Sequence, residues 1–476
     1  MNKVALTGWI DKNAEQFTQL ADEIWAHPEV AWDEYTAVRL QARLLQDHGF
    51  AILENVGGIE TAFSAQWGKS GPVIGFLGEY DALPGLSQKS ISRKAPVIPD
   101  APGHGCGHNL LGTGCLSAAV AAKCWLESTG SAGTVRYYGC PGEEQISGKT
   151  FMAREGAFDD LSAALNYHPG TLNMPGKGTA IGVNDITFRF AGTAAHAGGS
   201  PEKGRSALDA VELMNVGVNY LREHVPEKVR IHYAITHGGD VPNIVPDRAE
   251  VWYFIRALER DVLDEVTNRV RKIAQGAAMM TDTEVSEVLN GACLSVLNNH
   301  YLADLHYRAM ETIGPIDFTE EEMRFAGEIN NEYPKENARN LFRGLRIPDE
   351  WKQKVETLKK LPLAPENLPA MNQEEIGTGS TDVGDVSWIT PLTMFRTACF
   401  PTGATGHSWG ITAASGTTIG HKGMLHAAKI MALVAVDLFK DPEHLRAARK
   451  EFEEKTQGNP YTCPIPANVA PPKGRN

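Results

Sequence analysis

The chain has 476 residues, more than one hydrophobic core usually organises, so two domains are the starting expectation. Its 42% hydrophobic and 22% charged content is that of an ordinary globular protein, and a formal charge of -13 with no basic stripe argues against a nucleic-acid partner, since phosphate neutralisation needs a positive surface. No apolar run approaches the ~20 residues that span a bilayer, and residues 1–9 lack a basic region followed by an apolar core, so no membrane partner and a cytoplasmic location are expected.

Residues 11–49 predict two helices, with Phe17, Leu20, Ala21 and Ile24 at helical spacing and a break at His27-Pro28. Short apolar strands follow at 73–77 and 134–138, separated by a small-residue helix over 110–125. Strands alternating with helices predict an α/β fold with a mostly parallel sheet. From about residue 185 the pattern changes to strand (186–190), helix (206–224), strand (229–236), strand (249–257), helix (262–278) and strand (284–289). That is the β-α-β-β-α-β order of a ferredoxin-like unit, complete in itself and therefore expected as an insertion. The expected division is 1–184 and 298–476 for the first domain and 185–297 for the inserted one. Residues 318–371, polar and proline-punctuated, predict a helical insertion. The tail 458–476, rich in Pro and Asn, is expected to be weakly ordered.

Seven cysteines, an odd number spread over a long chain, do not make a disulfide framework. Cys115, Cys124, Cys293 and Cys399 sit among apolar residues and read as buried thiols. Cys106 differs, lying in Gly103-His104-Gly105-Cys106-Gly107-His108-Asn109. Glycines there let the backbone turn tightly, and a Cys and His two apart can both reach one metal ion. Taken alone, the stretch reads equally well as a glycine-rich turn around a buried thiol.

Cys140-Pro141-Gly142-Glu143-Glu144 follows a predicted strand, and the carboxyl ends of strands are where α/β sheets bind ligands. One Glu can ligate while its neighbour acts as general base toward a metal-activated water. Adjacent glutamates also commonly just open a helix, where the dipole favours them. His168 ends the strand at 163–165, and His407 lies in the glycine-rich loop 403–409 after the strand Leu392–Ala398. Cys106, His108, Glu144, His168 and His407 together make a mixed S, N and O donor set, harder to dismiss jointly than singly. Asp81, also after a strand, is expected either to orient a ligand or to be a plain turn carboxylate. In the inserted unit, His196 and Asn243 are candidates to polarise a carbonyl. Arg256 can clamp a carboxylate, although by itself it reads better as a surface strand residue.

These stretches resemble the metal-dependent amidohydrolases that include hippurate hydrolases, auxin-conjugate hydrolases and carboxypeptidase G. The likeness covers nearly the whole chain and is most specific at Gly103 to Gly112, Pro141 to Glu144, and Gly379-Ser380-Thr381-Asp382-Val383-Gly384-Asp385-Val386-Ser387-Trp388. The resemblance implies a catalytic domain with a dinuclear site and an inserted lid that dimerises. It implies Cys106 bridging two divalent ions, manganese or zinc, with His108, Glu144, His168 and His407 completing the ligands and Glu143 as base. It also implies His196 reaching into a partner's site, with Asn243 and Arg256 binding substrate. The implied reaction is hydrolysis of a small N-acyl amino acid, an aroyl-glutamate such as p-aminobenzoyl-glutamate, by a homodimer or a pair with a related subunit. Three positions depart from the pattern: Asn109 follows His108 where relatives usually have an acidic residue, Glu79 stands where many carry Asp, and the flank of His407 differs. Three other readings remain at this point: a hydrolase of other N-acyl or aroyl amino acids or of dipeptides, a thiol hydrolase with Cys106 as nucleophile and His108 or His104 as base, and a non-catalytic partner subunit on the same fold.

Overall fold

A computed structural model describes residues 1–373, 375–377 and 379–474. Twelve strands occur in chain order among them: β1 (Ala51–Glu54), β2 (Phe63–Trp67), β3 (Val73–Glu79), β4 (Thr134–Cys140), β5 (Ala163–Gly170), β6 (Thr179–Ala180), β7 (Gly182–Ala191), β8 (Arg230–His237), β9 (Arg248–Ala257), β10 (Glu284–Cys293), β11 (Ile376–Gly377) and β12 (Leu392–Ala398). The main sheet runs β1-β2-β4-β3-β5-β12. Its last four strands are parallel, with Phe76 opposite Tyr137 on one side and Leu165 on the other. Strands β3, β4 and β5 are buried along nearly their whole length, as a sheet covered on both faces requires.

Two long helices, His108–Thr129 and Thr418–Lys440, pack on each other and on one face of this sheet. The first is built from small residues; Ala118, Ala119, Ala121 and Ala122 are fully buried, which lets helix and sheet approach closely. The other face is covered by the helix Gly148–Arg154, the short helix Val383–Ser387 and a cluster around Trp32, Phe151 and Phe158. All parallel strands point their carboxyl ends to the same edge, so the loops after β3, β4, β5 and β12 converge there.

The second sheet is antiparallel, ordered β10-β7-β9-β8, with helices Ala207–Leu221 and Arg260–Thr281 forming one core with it. The element order is the β-α-β-β-α-β pattern expected for the insertion. Along β9 the burial alternates, with Val251, Tyr253 and Ile255 inward and Trp252 outward. No helix among the described residues is long and apolar enough to cross a membrane.

Several elements differ from expectation. Residues 11–49 hold the two expected helices, Ala14–Ala26 and Tyr35–Asp47, but a further helix, Lys3–Lys12, precedes them, capped by the Asn2 side chain, which accepts from the Ala5 N–H. The antiparallel strands β1 and β2 have no counterpart in the sequence reading, because β1 is short and mostly exposed and carries little hydrophobic signal. The insertion, by contrast, is helical as expected, at Glu320–Asn331, Lys335–Arg339 and Lys352–Leu358. The tail packs against the body of the molecule over its described part. Ile465 is buried, the Tyr461 hydroxyl donates to Asp385 (2.7 Å), and Arg154 donates to the carbonyls of Pro466 and Val469. Residues 475–476 lie outside the described residues. All seven cysteines are free thiols, and Cys124 is only partly buried, unlike Cys115, Cys293 and Cys399.

Candidate metal centre and its cavity

Each candidate ligand is placed by a different element. Gly107 adopts a left-handed conformation (φ +79°) as the cap of the helix His108–Thr129, so Cys106 sits in the turn and His108 opens the helix. A Cβ at Gly107 would also lie 2.6 Å from Phe400 Cζ, so any side chain there displaces the turn. Gly142, likewise left-handed, ends the run after β4 and places Glu143 and Glu144 in a single helical turn, Glu143–Gln145. Glu144 does not open a regular helix, as adjacent glutamates often do; the helix begins only at Gly148. His168 lies on β5 itself, in register with Arg396 on β12. His407 has φ +53° in the loop before the helix Trp409–Ser415 and remains largely exposed.

These side chains converge. Cys106, His108 and His168 present donor atoms within 4.8 Å of one another, and so do Cys106, Glu144 and His407. The two groups share Cys106. Cys106 Sγ lies 3.5 Å from His168 Nε2, and Glu144 lies 4.0 Å from His108 Nε2 and 3.6 Å from His407 Nε2. The outer nitrogens are already committed: His108 Nδ1 donates to Asp81 (2.8 Å) and His168 Nδ1 donates to the Pro169 carbonyl (2.7 Å). Asp81 also accepts from the Glu144 backbone N–H (2.8 Å), so one carboxylate braces two candidate ligands.

The donor set fits a divalent cation. His108 Nε2 and Glu144 Oε1 are buried without a hydrogen-bond partner, and both point into the cluster. Leaving such groups unpaired is costly unless something else binds them. Burial pushes the Cys106 thiol up to about 12 and raises Glu144, while burial lowers His168 to about 4. Burial, then the charges of Glu79 and Glu144, hold Glu143 well above the usual carboxylate range. Burial alone would neutralise His108; the Cys106 and Asp81 charges outweigh it and raise its pKa well above normal. A cation at the centre would relieve all the anionic groups together. His104 makes no part of the cluster: its Nε2 bonds the Ile24 carbonyl (3.1 Å) and burial lowers it to about 3. A buried thiol held near 12 disfavours Cys106 as a free nucleophile, because the thiolate is the attacking species.

Behind the cluster lies a charge network that motif reading missed. Lys149 is fully buried and pairs with Glu79 (2.7 Å) and Asp382 (2.6 Å), while Glu79 Oε2 lies 3.5 Å from His108 Nε2. Glu79, His108 and Glu143 form a third convergent group. The sequence singled out two of its members separately, Glu79 as a departure from the usual Asp and Asp382 within a stretch distinctive of the resemblance, but nothing in it linked either to Lys149.

The centre opens into a cavity of about 770 Å³ lined by Cys106, Glu143, Glu144, His168, His407 and Arg256, among others. Arg256 on β9 thus lines the same cavity, which its strand position alone did not disclose. His196 and Asn243 are not brought there. Both are exposed on the second sheet's loops, tied to each other's neighbours through Ala197 N–H donating to the Asn243 carbonyl (3.0 Å).

Residues 181–279, which hold three strands of the second sheet (β7, β8 and β9) and nearly all of its two helices, match the M20 peptidase dimerisation domain. The chain is 44% identical over 466 residues to one of the subunits of p-aminobenzoyl-glutamate hydrolase from Escherichia coli, covering 97% of each chain. It is 28% identical to Xaa-Arg dipeptidase of Mus musculus, covering 94% of this chain and 91% of that one. The crystal structure of an aminobenzoyl-glutamate utilization protein from Klebsiella pneumoniae superposes with a TM-score of 0.61 at 17% identity, covering 91% and 98% of the two chains, and shares the fold.

Proposed function

The chain belongs to the M20 peptidase family, hydrolases that cleave amide bonds, and from that premise we propose that it hydrolyses an N-acyl amino acid, p-aminobenzoyl-glutamate first among them, with divalent metal. The observation that carries the proposal is the pair of donor groups sharing Cys106 at the mouth of a 770 Å³ cavity. Cys106, His108 and His168 would hold one ion, and Cys106, Glu144 and His407 the other. Manganese and zinc both suit this mixture of thiolate, imidazole and carboxylate. Such ions, when bound, lower the pKa of water toward neutrality and polarise a carbonyl.

The protein's own groups do the rest. Glu143, beside the donors but belonging to neither shared pair, takes a proton from the attacking water and returns it to the leaving amine nitrogen. Asp81 fixes the His108 ring and the Glu144 backbone in place. Phe254, Phe400 and Leu341 supply apolar wall for an aromatic acyl group, and Arg256 pairs with the α-carboxylate. His196 and Asn243, exposed within one chain, act on the carbonyl oxygen from a partner joined through residues 181–279, either a second copy or a related chain.

The test is release of p-aminobenzoate from p-aminobenzoyl-glutamate by chelator-stripped protein refed with manganese or zinc. Metal-restored release is expected. Glu143→Gln is expected to keep its metal, measured by elemental analysis, and to lose at least about 100-fold in kcat. Substantial turnover by that variant removes Glu143 as the base.

A further inference from the structure

We infer that Arg343 and Arg396 recognise a second carboxylate, on the side chain of the leaving amino acid, and so restrict the site to N-acylated acidic amino acids. The inference rests on the amide-hydrolase reading and names the residues that set its selectivity.

Both arginines line the metal-centre cavity, together with Arg256. Arg396 lies on β12 directly across from His168, so it stands one strand away from a candidate ligand. Arg343 comes from the 318–371 insertion, in a turn closed by its N–H donating to the Asn340 carbonyl (2.8 Å). That turn is fixed by packing: Phe342 is buried in a small core with Leu172 and Met174, the segment leaving β5 just beyond His168. Leu341 and Leu345, on either side of Arg343, line the cavity as well. The insertion therefore forms part of the wall of the site.

Both side chains are exposed to the cavity, and neither makes a side-chain hydrogen bond or ion pair among the described residues. Glu375 lines the same cavity without pairing to either. In a chain of net charge -13, unneutralised cations gathered beside a hydrolytic centre call for an anionic ligand. Guanidinium groups match carboxylates in bidentate geometry. An N-acyl-glutamate brings two carboxylates, and Arg256 accounts for one. A basic leaving residue would meet like charge, so substrates ending in Arg or Lys are disfavoured.

The test compares kcat/KM for p-aminobenzoyl-glutamate and its neutral isostere p-aminobenzoyl-glutamine in metal-loaded wild type, Arg343→Met and Arg396→Met. Wild type is expected to prefer glutamate, and the variants to lose about 10- to 100-fold of that preference, mainly through KM. Arg343→Lys and Arg396→Lys should restore part of it. An equal loss on both substrates, or no preference in wild type, overturns the inference. Absence of turnover on either substrate marks failure of the hydrolase reading instead. Titration calorimetry of both compounds into manganese-loaded Glu143→Gln protein then decides the matter: a glutamate preference that the methionine variants abolish supports the two arginines, and its absence rejects them.

Discussion

Asp81 holds two candidate ligands at once, one through an imidazole and one through a backbone amide. Removing it frees the His108 ring to rotate and the Glu143–Gln145 turn to shift. Asp81→Ala is therefore expected to weaken metal binding by about 10- to 100-fold, read by competition with a chelator; unaltered affinity would show that the carboxylate is not a brace. A second buried acid tests the electrostatics away from the cluster. Asp385 is fully buried, accepts from Tyr461, Thr150 and the Leu294 N–H, and is pushed up to about 7 by burial. Its folded pKa exceeds its unfolded one, so its contribution to stability is fully present below about pH 4 and is lost as pH rises through about 7. The span corresponds to something on the order of 4 kcal/mol. Between pH 5 and pH 8, the advantage in urea midpoint of wild type over Asp385→Asn should shrink. A difference between the two proteins that stays constant with pH would place the Asp385 pKa in the ordinary range.

At the scale of elements, the short helix Gly148–Arg154 ties the end of β3 to the helix Val383–Ser387 through a single side chain. Lys149 Nζ joins Glu79 on β3 to Asp382, whose other oxygen also accepts from the Lys149 backbone N–H (2.7 Å). Lys149→Met leaves two buried carboxylates without a counter-charge. The expected cost is about 3–5 kcal/mol, seen as a lower urea midpoint with unchanged slope. A loss below about 1 kcal/mol would mean the network is open to water. The sequence made the individual strands legible through their apolar runs, and the helix from His108 through its small-residue content. It did not make the Lys149 network legible, because Glu79, Lys149 and Asp382 are far apart in the chain and each, taken singly, is a common surface residue.

For the whole molecule, the placement of His196 is decisive. It is exposed and absent from the cavity wall of its own chain, yet it belongs to the segment matching a peptidase dimerisation domain. If it serves a partner's site, two inactive chains can complement each other. Co-expressed His196→Ala and Glu143→Gln chains, pairing at random, should give about a quarter of wild-type activity, since only mixed dimers carry one complete site. Activity no greater than that of the two parents combined would confine His196 to its own chain or to no catalytic role.

Local chemistry and periodicity, written in the sequence itself, determined the alternation of strand and helix, the β-α-β-β-α-β insertion, and the residue types that favour a metal: a thiol and imidazoles between glycines, and paired carboxylates after strands. These features are legible because each depends on neighbours within a few residues. Only the tertiary structure decided which donors meet. Parallel strands carry residues as distant as Cys106 and His407 to one edge, and no local pattern encodes that distance. The same holds for Arg343: packing of Phe342 against Leu172 and Met174, not composition, turns a polar insertion into a wall of the site.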